Sequence, residues 1–220
     1  MIHQLIDRCL GIISQHWPWI LVLSVFAFIF ALMVLEFFLG QTRGQNRQPS
    51  EQPTRQQSEH KKAVLNSLHR LPKEQYRVLS HVHVPRLDGR GTTSMQHVVL
   101  STYGMFVIQP QDQSGHVSGE VNAKHWTVEG QDGQHNFINP IVRNQYHVKA
   151  LAKFLLLPEA LFFSIIFFQS EVSFEDEPEP NVINKGLGRH ILSHTAQIVS
   201  PEVISRVLME LRTKSKRPKA

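Results

Sequence analysis

From Trp17 to Leu35 the chain is apolar at every position except Ser24. At about 1.5 Å per residue such a run covers roughly the ~30 Å hydrocarbon core of a bilayer. Phe37, Phe38 and Leu39 carry the apolar character past Glu36, and Trp17 and Trp19 stand at one end, where amphipathic rings favour the interface. The pattern predicts one transmembrane helix over 17–39. It is too long for the apolar core of a signal peptide, and no small-x-small cleavage site follows it. Before it, Ile2, Leu5, Ile6, Leu10 and Ile13 recur at helical spacing, so 1–16 reads as an interfacial segment. Only Arg8 precedes the span, whereas Arg43, Arg47, Arg55, Lys61 and Lys62 follow it. The positive-inside rule then places the C-terminal part in the cytoplasm, at the inner membrane.

Beyond the span, 40–60 is rich in Gln, Arg and Pro and holds no large apolar residue; it reads as a disordered linker that can touch anionic lipid. A folded domain is expected over 61–213. Ala63, Val64 and Leu68 suit a short helix ended by Pro72. Tyr76–Val84, Thr92–Ser101 and Met105–Gln109 suit strands joined as antiparallel hairpins. Val117–Val121 and Trp126–Val128 suit shorter strands before an Asp132-Gly133 turn. Asn139 caps a helix with Pro140 at its first position, running to about Leu156. Leu161–Phe168 is too short to cross a bilayer and reads as a buried strand. Glu175–Pro180 is an acidic loop, Ser200-Pro201-Glu202 opens a last helix, and 214–220 is a basic tail. The fold class is therefore α/β, a mixed sheet flanked by helices.

Composition narrows the chemistry. The one cysteine, Cys9, excludes an intrachain disulfide or a Cys-based zinc cluster. The net charge of +5 permits anionic partners without demonstrating one. His81 and His83 share a strand, but no third metal ligand is matched to them. Gly186-Leu187-Gly188 lacks the strand-to-helix setting of a dinucleotide fingerprint.

The sharper signal lies in Thr93-Ser94-Met95-Gln96-His97-Val98-Val99, then Tyr103-Gly104-Met105-Phe106-Val107-Ile108-Gln109-Pro110-Gln111, then Ser114-Gly115. Leu68, Tyr76-Arg77-Val78-Leu79, Gly119, Trp126 and Phe137-Ile138-Asn139-Pro140-Ile141-Val142-Arg143-Asn144 follow the same order. Together, over most of 61–170, these residues resemble the NERD (nuclease-related) domain. The family reads roughly I-D-H-V-V-V-S-x-x-G-I-F-V-I-E-x-K, and later N-P-x-x-Q-N. The resemblance implies a restriction-endonuclease-like sheet core with an Asp, Glu and Lys around a metal ion. Here those positions hold Gln96, Gln109 and Gln111, an early acidic position falls near Lys61 or Lys62, and Arg143 replaces the family Gln. A glutamine amide supplies one neutral oxygen, whereas Mg²⁺ wants charged oxygen ligands. No cofactor is expected. Alternation places 109 and 111 on one strand face, so the three glutamines should converge on one polar site, with His97 turned away.

Three functions compete. The first is a membrane-tethered, non-catalytic module that binds nucleic acid, or a protein, through Arg70, Arg77, Arg86, Arg90, Lys124, Arg143 and Lys149. The second is a divergent Mg²⁺-dependent nuclease acting on DNA or RNA, with Asp112, Glu120 or Glu129 as relocated ligands. The third is a scaffold subunit of a membrane protein complex.

Overall fold

The computed structural model describes residues 55–131, 133–168 and 171–214. The expected span 17–39, the interfacial segment 1–16, most of the linker, Asp132 and all but the first residue of the basic tail lie outside the described residues. Among the described residues no helix is long and apolar enough to cross a membrane.

Helix α1 runs Arg55–His69. It starts inside the stretch read as linker, because Gln, Glu and Lys extend a helix readily without an apolar stripe. Among its described side chains, Val64 and Leu68 are buried in the core. Strands β1 (Arg77–Pro85), β2 (Thr92–Ser101) and β3 (Gly104–Pro110) follow as antiparallel neighbours. Every residue of β3 is buried, as a central strand requires.

Strands β4 (His116–Ser118), β5 (His125–Gly130) and β6 (Gly133–Ile138) come next. Helix α2 (Pro140–Leu155) leads through a 3₁₀ turn at Glu159–Leu161 to β7 (Phe162–Phe167). Strands β8 (Ser173–Phe174) and β9 (Val182–Ile183), helix α3 (Leu187–Leu192) and helix α4 (Pro201–Lys214) complete the domain.

The strands form two sheets where one was expected. The larger has the order β1-β2-β3-β7-β9 and is mixed: β7 runs parallel to β3, and β9 parallel to β7. A parallel pair needs a long crossover, and α2 supplies it. The smaller sheet has the order β6-β5-β4-β8: β4, β5 and β6 come from the β3–α2 connection, and β8 from the β7–β9 connection.

Apolar clusters lie on both faces of the larger sheet. Val98, Leu100, Met105 and Val107 pack with Val148, Leu151 and Leu155 of α2 and with Val207 and Leu211 of α4. Val99, Phe106, Ile108 and Ile165 pack with Val64 and Leu68 of α1 and with Leu187 and Ile191 of α3. A third cluster joins Val117, Trp126 and Val128 of the smaller sheet to Ile166, Phe168 and Val182. The domain is thus mixed α/β with helices on both faces of its main sheet.

Candidate functional site

The β2–β3 ladder runs from Ser101↔Gly104 to His97↔Ile108 and stops there. In that register Gln96 would face Gln109 next. Strand β2 continues with β1 as far as Thr92↔Pro85, but the pairing skips His81 and Gln96 between Ser80↔His97 and Val82↔Met95. Gln96 thus stands where β2 parts from β3, with His81 across from it on β1.

His81 has φ 56°. For a side chain other than glycine this left-handed backbone is uncommon, although histidine reaches it more readily than most, and such positions concentrate at functional sites. It shifts the alternation of β1 by one: Leu79, Val82 and Val84 all join the α2-side core. Strand β2 shifts at the same level, since Met95 and Val98 also join that core. A regular strand would send 95 and 98 to opposite faces.

The fork opens to the surface as a cavity of about 410 Å³ lined by Lys61, Leu65, His81, Ser94, Gln96, His97, Gln109 and Arg143. Lys61 and Leu65 come from α1, and Arg143 from the first turn of α2. The sheet splits just where helices from its two faces can each send a cation to the gap. Gln109 is 4% exposed, and its Nε2 donates to the Pro110 carbonyl at 3.2 Å. His97 is buried, with Nδ1 at 3.0 Å from Ser80 Oγ. Burial, then the charges of His81 and His69, lower its pKa to about 4, so His97 is neutral at physiological pH.

Asn139 and Asn144 fix the end of α2 that carries Arg143. Asn139 Oδ1 accepts from the Ile141 and Val142 amides, at 2.9 and 3.4 Å. Its Nδ2 donates to the carbonyls of Glu120, Val121 and Ala123. Asn144 Nδ2 donates to Val107 O at 2.8 Å and Ser164 Oγ at 2.9 Å, tying α2 to β3 and β7.

With this geometry in place, comparison with known proteins decides the family. Residues 41–169 match the family model described as "Nuclease-related domain" (NERD). The chain belongs to the NERD family. An uncharacterized protein of Bacillus anthracis is similar to it, 32% identical over 90 residues that cover 41% of this chain and 42% of that protein. The chain therefore aligns with less than half of that relative's length. No solved structure matches it significantly.

In this NERD domain two of the three glutamines meet. Gln96 and Gln109 line the fork cavity, and Gln111 does not. Gln111 follows the last residue of β3 and is not among the residues that line the cavity. Gln111 is buried, and its backbone N–H donates to Phe167 O at 2.9 Å. His97, expected to turn away from Gln96, lines the same cavity, because the irregularity at His81 and Gln96 breaks the alternation.

Of the basic residues named from the sequence, only Arg143 lines the cavity. Arg70, Arg77, Arg86, Arg90, Lys124 and Lys149 are exposed and distributed: at the end of α1, along β1 and its hairpin, before β5, and farther along α2. Arg86 pairs with Asp88 at 3.5 Å. Lys61, which stands where the family resemblance expects an acid, lines the cavity from α1 as a second cation of the site. Glu120 lines another depression, with Asp176, Glu177 and Glu179 beside it. Glu129 lies on β5, and Asp112 follows β3; neither lines the fork cavity.

Proposed function

We propose that this NERD domain binds nucleic acid without cleaving it, and that the 17–39 span tethers it to the inner face of a membrane. The observation that carries the reading is the fork cavity: Lys61, Arg143, two histidines and two glutamine amides line it, and no carboxylate does. Restriction-endonuclease-like chemistry would place its metal-holding acids on such neighbouring strands. The resemblance maps the family Asp and Glu to Gln96 and Gln109, and neutral amides do not hold a hard dication against two nearby cations. Phosphate oxygens, in contrast, are drawn to those cations. The relocated acids of the nuclease alternative are not at the fork.

The test uses the full-length chain in mild detergent, with labelled DNA and RNA oligonucleotides, over a salt series and with EDTA, Mg²⁺ or Mn²⁺. Binding should persist in EDTA and weaken with salt, log K falling by roughly 0.7 per log unit of salt for each single-strand phosphate neutralised. Chelator-sensitive cleavage by the unmodified protein would refute the non-catalytic reading. Binding that is absent at every salt concentration would favour the scaffold. A C-terminal alkaline phosphatase fusion tests the tether: it should be inactive if residues 61–220 face the cytoplasm, and strong activity would reverse the orientation.

A further inference from the structure

The lining of the fork cavity is one-sided in its hydrogen-bonding capacity. Lys61 and Arg143 can only donate; Ser94, Gln96, Gln109 and the histidines can donate or accept; no lining group is an obligate acceptor. Neither Lys61 nor Arg143 forms an ion pair within the described residues. Two exposed cations thus reach one surface cavity from opposite faces of the sheet, and no carboxylate lines it. At about 410 Å³ the space lies within the ~300–1,000 Å³ of small-ligand clefts.

We propose that the fork cavity is a metal-independent seat for a phosphate monoester, the terminal phosphate of a nucleic-acid strand. The inference rests on the nucleic-acid reading above and narrows it from the backbone to the strand end. Two arguments favour an end over an internal phosphodiester. A monoester is close to a dianion near neutral pH, matching two cations, whereas each internal phosphate carries one charge. A strand threading past the site would need cations continuing on both sides. The other basic residues named from the sequence do not line the cavity. The amides of Gln96 and Gln109 and the Ser94 hydroxyl supply donors for the remaining phosphate oxygens.

The experiment measures fluorescence anisotropy of full-length protein in detergent and EDTA. The probe is a short single-stranded DNA labelled at its 3′ end, with either a 5′-phosphate or a 5′-hydroxyl; an isomer labelled at the 5′ end tests a 3′-phosphate. One phosphorylated end should bind at least about tenfold more tightly than its hydroxyl counterpart, as two charge-assisted contacts allow. Inorganic phosphate should compete that preference away. Lys61→Ala and Arg143→Gln should each abolish most of it, while Lys185→Ala, an equal loss of charge at an exposed residue outside the cavity, should retain it. Equal, tight binding of phosphorylated and unphosphorylated strands would overturn the inference and leave the nucleic-acid reading standing. Retention of the preference by both cavity variants would also overturn it. Inorganic phosphate binding that is lost in Arg143→Gln, without any oligonucleotide binding, would keep the monoester seat and remove nucleic acid as its source.

Discussion

Replacing Asn139 by alanine should cost this domain more than any exposed substitution, for a reason visible in five hydrogen bonds. The side chain is fully buried. Its oxygen caps the first turn of α2 through Ile141 and Val142, and its amide holds three carbonyls of the 120–123 loop at 3.3, 2.8 and 2.7 Å. Loss of an Asn cap costs about 1 kcal/mol. The amide has two N–H donors shared among three carbonyls, so these contacts count as about two bonds, each adding about 0.5–1.5 kcal/mol net. Allowing for partial rescue by water at the loop, the total is about 2–3 kcal/mol, a large share of the ~5–15 kcal/mol typical of a domain. Asn139→Ser keeps an oxygen for the cap and loses the amide, so it should recover only about 1 kcal/mol of that loss. Urea denaturation followed by far-UV circular dichroism gives the energies. Hydrogen exchange at Ala123, whose N–H donates to Glu120 O, reports the loop directly. A cost below about 1 kcal/mol for Asn139→Ala, or no change in exchange at Ala123, would refute the view that one side chain joins the loop to the helix carrying Arg143.

Acid should destabilise the domain through His97 and His147, both buried and both with pKa lowered from 6.5 to about 4, mainly by burial. The unfolded state binds protons first, so this stability is complete above pH 6.5 and is lost as pH falls towards 4, at up to about 3 kcal/mol per histidine; a urea midpoint that is flat across this window would refute it, and His147→Leu should remove part of the slope. Gly115→Ala should destabilise by an amount on the order of 3 kcal/mol, because at φ 122° a Cβ would lie 2.2 Å from the Glu129 carbonyl oxygen, and backbone cannot swing aside as a side chain can; thermal melts measure this, and a near-neutral result would show that β4 and β5 can part locally. Gln96→Asp with Gln109→Glu should create Mn²⁺ affinity detectable by calorimetry, since both positions line one cavity; no heat from a folded double variant would show that Lys61 and Arg143 still dominate the field there.

What could be read from the chain depended on how far each feature was local. Thr92–Ser101 was legible to the residue because a run of β-branched and apolar residues is bounded by glycines on either side. The α2 boundary was legible because Asn-Pro is a cap and a first-turn residue in two letters. Strand β6 was missed because its residues are almost all exposed, so no alternation marks it. Strand β9 and helix α3, of two and six residues, are held by neighbours rather than by their own pattern. The site failed in the same way at one point and for a deeper reason. Gln96 and Gln109 were found from a family pattern, but that pattern marks where acids would stand, and it carries no information about what stands opposite them. Lys61 and Arg143 lie on helices packed on opposite faces of the sheet, and their meeting depends on the β2–β3 ladder ending after His97↔Ile108. That end coincides with a left-handed His81, a backbone state that no spacing of polar and apolar letters encodes. The charge of the site is therefore a tertiary property. Amides at the two glutamine positions alone would leave a neutral hole. The two cations that line this one give the fork a sign, and on the function proposed above that sign favours phosphate over metal.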